Sequence, residues 1–422
     1  MAFRMALAGC GGMGLRHVYG MAEAAKAFGS LDLVAVCDRH HAAAAHVASE
    51  AKGLFGREPV VYTDFREMLD DADGIDALDI VTDTRMHHEF AVGALDAGIH
   101  VFVEKPMGLT IKACTLMEQA ADRSGNTLAI AENYRRDPMN RLAKALIDGG
   151  AIGKPHFMVD IGIGGGDDLL HDTGWRAIKH RAGSMILERG VHNSDLVYYF
   201  MGDVETVYAA TDIFQPIRRR GVRSEGLSQF YKHRVEDEFV GMDKVVSDAE
   251  DTAFAVLRFT SGASGQMSMS TAAPGHSIDT STVHGSEGAI ALPPSRTGIG
   301  PKVMLPGREH AIEGNSLLDM VPDWEMDDIT ARLWPGPRRI ASYDMEFWQI
   351  DRKTIAVELQ DFLQAVESGG TPEVGAEMGM KALALSYAML ESGLLGAPVT
   401  IADLLNGSVS AYQAESNAAV GL

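Results

Sequence analysis

The first 131 residues alternate short apolar runs with segments of helical period, and this alternation restricts the fold more than any other feature. The runs predicted to be strands are Phe3–Ala8, Leu31–Cys37, Val60–Tyr62, Ala77–Thr82, His100–Val103 and Thr127–Ala131. The helical segments between them include Met13–Phe28, His40–Leu54, Met86–Ala97 and Thr110–Ser124. Apolar strands joined by helices are typical of a parallel sheet covered on both faces. The pattern predicts a doubly wound α/β domain over residues 1–131.

A different pattern follows Glu132. Alternating apolar and polar residues predict antiparallel strands with one solvated face, and longer periodic segments predict helices. These segments are a helix at Met139–Ile147, strands such as His156–Ile163 and Ala253–Phe259, and helices at Ile355–Glu367 and Met378–Gly393. We expect a second, α+β domain over 132–407 and a polar tail over 408–422.

Two segments of the second domain, 215–250 and 293–345, are expected to be excursions from its sheet. The first carries a basic cluster, Arg218-Arg219-Arg220 with Arg223. Such a cluster is expected to be solvated or to contact another subunit, and binding of a phosphate is the alternative. Long connections in compact domains are usually functional or disordered. We therefore expect 215–250 to lie at a subunit contact or over a pocket.

Charge and cysteine content exclude several classes of protein. The chain has 37 Lys and Arg against 58 Asp and Glu, a net charge of −21, which repels nucleic acids and anionic membranes. No stretch approaches the ~18 apolar residues of a spanning helix. Three scattered cysteines favour a reducing, cytoplasmic location over a disulfide framework. The alternative is export as a lipoprotein, because Leu7-Ala8-Gly9-Cys10 imitates a cleavage site, but the preceding apolar run is too short.

A glycine-rich motif stands between the first predicted strand and helix. Gly9-Cys10-Gly11-Gly12-Met13-Gly14 matches GxGxxG. In this motif the first glycine permits a tight turn, the second lets the backbone reach a pyrophosphate, and the third lets helix and strand pack closely. The phosphates then lie at the helix N-terminus, where N–H groups favour anions. A dinucleotide site is predicted, with a plain glycine turn as the alternative.

Asp38 ends the next predicted strand, 24 residues after Gly14. A carboxylate here can accept hydrogen bonds from an adenosine ribose and repels a 2′-phosphate. Arg39 follows and can stack on adenine or accommodate that phosphate. The expected cofactor is therefore NAD, with NADP as the alternative.

Two motifs predict the chemistry of the site. Lys105, in Glu104-Lys105-Pro106, follows the fifth predicted strand, where open α/β sheets bind ligands. If residues near 185–195 form one helix, Glu188, His192 and Asp195 share a face, so that a carboxylate orients a histidine that takes a hydroxyl proton. An exposed loop lysine and a structural histidine are the alternatives.

The motifs taken together resemble the Gfo/Idh/MocA oxidoreductase family, which includes glucose–fructose oxidoreductase and inositol dehydrogenase. They are Gly9 to Gly14, Asp38, Glu104-Lys105-Pro106, Glu132-Asn133, Trp175-Arg176 and Gly190-Val191-His192-Asn193-Ser194-Asp195. The resemblance spans about residues 3 to 400. It implies a Rossmann domain followed by a domain with a large, mostly antiparallel open sheet, whose open face builds homodimers or homotetramers.

The resemblance also implies functional residues. Lys105 falls on the family's catalytic lysine and His192 on its catalytic histidine, while Glu188 stands where the family typically has an aspartate. The expected cofactor contacts are Gly9, Gly11, Gly12, Met13, Gly14, Asp38, Arg39, Thr82, His87, Glu104, Lys105, Asn133, Trp175 and Arg176. The expected substrate contacts are Lys105, Tyr134, Arg135, His171, Asp172, Glu188, His192 and Asp195.

These features predict an NAD-dependent dehydrogenase or reductase acting on a CH–OH group of a sugar, cyclitol or glycoside. One alternative is a glycosidase that oxidises its sugar transiently with NAD. Another is a non-catalytic sugar sensor, against which Lys105 and His192 argue. A metal is not expected, because the pairs His40-His41 and His87-His88 lack a third ligand at metal spacing.

Overall fold

The computed structural model describes residues 2–71, 74–169, 173–220, 230 and 242–422. Its N-terminal part is a parallel six-stranded sheet in the order β3-β2-β1-β4-β5-β6. The strands are β1 (Phe3–Ala8), β2 (Leu31–Cys37), β3 (Val60–Tyr62), β4 (Ala77–Ile80), β5 (His100–Glu104) and β6 (Leu128–Ala131). The helices are α1 (Gly12–Phe28), α2 (His41–Phe55), α3 (Phe65–Asp70), α4 (His87–Asp96) and α5 (Ile111–Ser124). The strand order reverses between β1 and β4, which creates the crevice where doubly wound sheets bind ligands.

The second part contains a sheet in the order β15-β14-β13-β7-β12-β11-β8-β16, in which β7 and β12 are parallel and the other pairs antiparallel. Its strands, with the separate β9–β10 pair, are β7 (Pro155–Ile163), β8 (Val204–Asp212), β9 (Ile217–Arg219), β10 (Lys244–Val246), β11 (Thr252–Phe259), β12 (Ser264–Ser270), β13 (Ile278–Gly285), β14 (Ala289–Ala291), β15 (Lys302–Met304) and β16 (Val399–Thr400). Its helices are α6 (Pro138–Asp148), α7 (Lys179–Ala182), α8 (Met185–Glu188), α9 (Gly190–Met201), α10 (Asp328–Leu333), α11 (Phe347–Ser368), α12 (Ala376–Leu395), α13 (Ile401–Leu405) and α14 (Ala414–Ala419).

The predicted fold class is therefore confirmed. Both predicted features are present, a parallel Rossmann sheet followed by a mostly antiparallel one. The predicted helix at Ile355–Glu367 is longer than expected, because Glu346 and Gln349 form a capping box that begins α11 at Phe347. Glycines end α1, α5 and α11 in the left-handed conformation, as helix C-terminal glycines commonly do.

Helix α11 belongs to the second half of the sequence but packs on the first sheet. Its Phe362 stacks on Phe102 of β5, with ring centroids 5.6 Å apart, and Ile355 packs against Gly20 of α1. Alternate strand residues divide between the two faces, so that Met5 and Leu7 face α1 and α11 while Ala6 and Ala8 face the opposite core. One face of the N-terminal sheet is thus covered in part by a helix from beyond residue 132.

The segment 408–422 is docked rather than extended. Tyr412 and Gln413 are buried, and the Tyr412 hydroxyl donates to Glu250. The tail therefore packs beside the loop that leads into β11. Among the described residues, no helix is long and apolar enough to cross a membrane.

Candidate active site

In the glycine-rich turn between β1 and α1, glycine is needed at three positions for different structural reasons. A Cβ on Gly9, whose φ is 100°, would lie 2.4 Å from the Val81 carbonyl oxygen, and one on Gly14 would lie 2.0 Å from the Gly9 oxygen. At Gly11 nothing lies within 4 Å of that position. Packing therefore requires Gly9 and Gly14, whereas the open space at Gly11 fits the close approach of a ligand to the backbone.

The N-terminus of α1 is suited to an anion. No side chain caps it, and no acidic residue lies in its first turn. Asp38, at the end of β2, is held on the adjacent wall because its carboxylate accepts hydrogen bonds from the Cys10 and His40 amides, both 2.9 Å long. A phosphate-binding turn beside a positioned carboxylate fits a dinucleotide with an unsubstituted ribose.

A cavity of about 490 Å³ runs from this turn to Lys105. Of the expected cofactor residues, it is lined by Gly9, Gly11, Gly12, Met13, Asp38, Arg39, Thr82, Glu104, Lys105, Trp175 and Arg176. The cavity thus joins the carboxyl ends of the N-terminal strands to residues of the second domain.

Three expected cofactor contacts, Gly14, His87 and Asn133, do not line this cavity and are buried in the protein. The His87 ring lies 2.9 Å from the Pro106 carbonyl through Nδ1 and 3.2 Å from the Thr82 carbonyl through Nε2. Burial lowers the pKa of His87. His87 thus links the Thr82 backbone, which borders the cavity, to that of Pro106, and its direct contact with a cofactor stays a prediction.

Lys105 lies in an ion-pair cluster at the end of the cavity. Its Nζ donates to the Glu188 carbonyl at 2.9 Å and lies 3.5 Å from the Glu188 carboxylate, which also pairs with Arg176 at 3.1 Å. Burial lowers the pKa of Lys105, but Glu188 and Glu104 outweigh it and the pKa is raised. Burial alone would raise the pKa of Glu188, and Arg176 and Lys105 instead hold it at about 2. Lys105 is thus a cation and Glu188 its fixed counter-ion.

His192 has a different carboxylate partner from the one expected. Its Nδ1 lies 2.5 Å from Oε1 of Glu132, which follows β6, while Glu188 binds Lys105 and Arg176. Residue Arg189 interrupts the helix between α8 and α9, so Glu188 and His192 do not share a continuous helical face. The expectation that Glu188 orients His192 is therefore corrected, and Glu132 occupies that position.

Burial sets the protonation of this pair. Burial lowers the pKa of His192 well below its usual range, and the charges of Lys105 and Arg296 lower it further, against the opposing effect of Glu104 and Glu188. Burial also raises the pKa of Glu132 to about 7. Within the described residues Nε2 of His192 has no hydrogen-bond partner, so a neutral imidazole there can accept a proton.

Arg135 and Asp195, both expected to touch substrate, bind each other instead. The guanidinium makes two hydrogen bonds to the carboxylate, of 2.8 and 2.5 Å, and both side chains are buried. These polar atoms are therefore paired within the protein, and contact of either residue with substrate stays a prediction. Tyr134 does reach the site, since its ring stacks on His192 with centroids 4.0 Å apart. His171 and Asp172 lie outside the described residues.

A second cavity, of about 480 Å³, shares Thr173 and Arg176 with the first. Its walls include Arg189, Arg218 and Asp251. Arg218, expected in a solvated cluster, is buried and pairs with Asp251 at 3.0 Å, which corrects that expectation for this residue. Arg223 and most of the 215–250 excursion lie outside the described residues.

Three side chains that line neither cavity could together hold a metal ion. His180, Asp248 and Glu415 each offer one ligand atom, and these atoms lie within 4.8 Å of one another at the surface. They come from three distant parts of the sequence, so spacing along the chain could not show them.

Sequence analysis assigned no role to two residues of the site, Glu132 and Arg296. The place of Glu132 in the site could have been predicted, because Glu132 follows β6 and Lys105 follows the adjacent strand β5. Parallel strands end at the same edge of a sheet, so the two residues are expected to lie close together. Arg296 lies in the loop between β14 and β15, and no such rule predicts its place. Its guanidinium donates to the Tyr134 hydroxyl at 3.1 Å.

Comparison with known proteins identifies the family of this chain. Residues 3–132 match a family model described as an oxidoreductase family with an NAD-binding Rossmann fold, and 140–291 match the GFO/IDH/MocA C-terminal domain. A levoglucosan dehydrogenase from Pseudarthrobacter phenanthrenivorans is 28% identical over 82% of this chain and 84% of its own length. A myo-inositol 2-dehydrogenase from Thermotoga maritima is 27% identical over 81% and 84%.

A solved oxidoreductase from Agrobacterium radiobacter, in complex with NAD+, L-tartaric acid and magnesium, has the same fold. The TM-score is 0.70 at 21% identity, and the match covers 96% of this chain and all of the other. The family models, the nucleotide cavity and the glycine turn agree. The chain therefore belongs to the Gfo/Idh/MocA oxidoreductase family and is an NAD-dependent dehydrogenase or reductase acting on CH–OH groups.

Proposed function

We propose that this enzyme oxidises a hydroxyl of a sugar or cyclitol, or reduces the corresponding carbonyl, with Lys105 and His192 as its acid–base pair. The observation that carries the proposal is that Lys105 lies at the end of the dinucleotide cavity, while Glu132, the partner of His192, follows the strand beside the one that leads into Lys105. Lys105 lines that cavity, and its charge acts directly on His192. The proposal therefore assigns both residues to the same substrate oxygen.

The residues divide the reaction between them. Lys105 donates a hydrogen bond to the hydroxyl oxygen and stabilises the negative charge that develops on it. The hydroxyl proton passes to Nε2 of His192, while Glu132 at Nδ1 holds the ring and stabilises its positive charge. Bound NAD supplies the acceptor for the hydride that leaves the same carbon. The products are a carbonyl compound, NADH and a proton on the histidine.

The dinucleotide would be held by the glycine turn and by Asp38. Gly9, Gly11, Gly12 and Met13 border the cavity at the N-terminus of α1, and Asp38 offers its carboxylate on the wall. A carboxylate at this position favours NAD over NADP, because it repels a 2′-phosphate. Glu188 holds Lys105 in place rather than exchanging a proton, since its pKa lies at about 2.

The substrate class rests on the named relatives and on the shape of the site. The relatives act on levoglucosan and on myo-inositol, which are compact polyhydroxylated rings. The second cavity adjoins Arg176 and has polar and charged walls suited to several hydroxyl groups.

The three cysteines are buried thiols, which agrees with the proposed cytoplasmic location.

The test is to incubate purified enzyme with NAD and a panel of anhydrosugars, hexoses, inositols, sugar acids and glycosides. We expect NADH absorbance to rise in proportion to a carbonyl product. A glycoside cleaved without net NADH would replace the proposal by a transient-oxidation glycosidase. Failure of every polyol to reduce NAD, with the enzyme folded and able to bind NAD, would contradict the proposal.

A further inference from the structure

The loop between β14 and β15 places one arginine against the proposed catalytic pair. Arg296 lies over the Tyr134 ring, with its guanidinium carbon 4.7 Å from the centroid, and donates from Nη2 to the Tyr134 hydroxyl at 3.1 Å. The Tyr134 ring also stacks on the His192 ring, which is nearly parallel to it, at 2° and 4.0 Å between centroids. Arginine, tyrosine and histidine thus form one contact series.

The backbone of Arg296 is held in an unusual conformation. Its φ is 61°, and among the described residues it is the one non-glycine with a positive φ. Its amide donates to Asp137 at 2.5 Å, which fixes this conformation at the start of α6. A strained backbone persists where surrounding contacts impose it, and such positions cluster at functional sites.

The same guanidinium is linked to α1, the helix that follows the glycine turn, through Asp351. Its Nη1 lies 3.3 Å from Asp351 of α11, and that carboxylate accepts two hydrogen bonds from Arg16 of α1, of 2.8 and 2.5 Å. Arg16 also contacts the sulfur of Met13, which lines the nucleotide cavity. One chain of direct contacts therefore runs from the glycine turn to the histidine.

We propose that Arg296 is a positioning residue for His192: it holds the Tyr134 ring flat against the imidazole and joins that pair, through Asp351, to the helix that follows the glycine turn. The inference rests on the proposed role of His192 as proton acceptor. It assigns to the 293–345 segment a function beyond that of a connection.

The charge of Arg296 supports the same role. The charged groups that act on the His192–Glu132 pair are Lys105, Glu104, Glu188, Arg135 and Arg296. Arg296 lowers the pKa of both members, so it favours a neutral histidine beside an ionised glutamate. Removing this positive charge raises both pKa values, and the loss of oxidation rate on acidification then begins at higher pH.

The test compares Arg296→Met with Arg296→Lys, and with Arg308→Met as a matched control at an exposed arginine. In Arg296→Met we expect kcat to fall roughly ten- to hundredfold, because the ring is no longer fixed. The acidic limb of the kcat profile should move up by on the order of one pH unit. Arg296→Lys should restore the limb but not the full kcat, since lysine keeps the charge without the planar stack. Arg308→Met should match the wild type.

Coupling to Tyr134 provides a second measurement. If Arg296 acts through this ring, the Arg296→Met/Tyr134→Ala double variant should lose little more kcat than the worse single variant. Fully additive losses, or a folded Arg296→Met with wild-type kcat and pH profile, would overturn the inference. Loss of activity in His192→Ala alongside such a result would leave the proposed function standing. Retained activity in His192→Ala would instead remove the proposed function.

Discussion

At the scale of single residues, the proposed chemistry depends on a histidine that is neutral although it lies among charges. Burial is the main cause of its low pKa, and Lys105 adds to it. A neutral imidazole can take the proton of a hydroxyl as the hydride leaves, while a nearby ammonium stabilises the oxygen. The protein therefore separates the two tasks between two side chains that arrive from different domains.

Replacing His192 by alanine should remove the proton acceptor and leave the nucleotide cavity unchanged. We expect kcat to fall about 10²- to 10⁴-fold, the usual contribution of general base catalysis, with NAD affinity preserved. Steady-state kinetics and a NAD titration measure the two quantities. His310→Ala, at an exposed histidine, is the matched control. Wild-type turnover by folded His192→Ala enzyme would eliminate the assigned base.

Glu132→Gln should test whether protonation of Glu132 controls which ring nitrogen of His192 is free to accept a proton. In the wild type, Glu132 protonates as the pH falls through about 7, and a protonated acid donates to Nδ1, so Nε2 can no longer accept a proton. Oxidation should therefore slow below that pH. Glutamine cannot titrate, so the acidic limb should move to lower pH while the maximal rate falls. An unchanged limb in the pH profile of kcat would show that Glu132 does not govern it.

At the scale of elements, the β1–α1 turn distinguishes binding from folding within a single motif. Gly14 is required by packing of the helix on the strand, whereas Gly11 borders open space. The same substitution at the two positions should therefore affect different properties. This contrast separates a ligand-binding turn from a purely structural one.

Gly11→Ala should weaken NAD binding by roughly tenfold, equivalent to about 1.4 kcal/mol, with unchanged thermal stability, because the added methyl meets only the ligand. Gly14→Ala should lower the free energy of unfolding by about 1–3 kcal/mol, because its Cβ meets the Gly9 carbonyl. Calorimetric titration and thermal melts measure the two effects. Full NAD affinity in Gly11→Ala would remove this turn from the proposed cofactor site.

At the scale of the whole molecule, the C-terminal sheet has one covered and one open face. In β11, Ala253, Ala255 and Leu257 are buried, while Phe254 and Val256 are 49% and 56% exposed. The neighbouring strands add exposed apolar residues, which are Tyr208, Phe157 and Ile278. A patch of this kind on a sheet face is typical of a protein interface, and we propose that a second copy of the chain covers it.

The Phe254→Glu/Val256→Glu variant should therefore change the assembly. We expect the wild type to be a dimer or tetramer by light scattering, and the variant to be a monomer, because buried unpaired carboxylates strongly oppose association. Leu394→Glu, at an exposed leucine of α12, is the control that should keep the wild-type mass. A monomeric wild type, or an unchanged mass in the double variant, would refute this interface.

The sequence by itself determined the features that depend on local spacing. The strands and helices of the first domain follow from apolar periodicity, and most of their predicted ends lie within one residue of those observed. The glycine turn and Asp38 were likewise predictable, because a turn at a strand end requires particular residues within a few positions. Lys105 was placed by the same rule, which brings the ends of parallel strands to one edge.

Tertiary structure alone decided which charged groups meet. Glu188 is only four residues from His192 in sequence, yet the carboxylate that pairs with His192 is that of Glu132, sixty residues away. The reason is that the helix breaks at Arg189, while the end of β6 brings Glu132 to the imidazole ring. Arg296 likewise reaches the site from a distant loop, and α11 packs on the first sheet from the second half of the sequence. Periodicity reports which face of an element is buried but not what packs against it. Pairing between side chains that are distant in sequence depends on how the two domains pack against each other, and local sequence does not encode that packing.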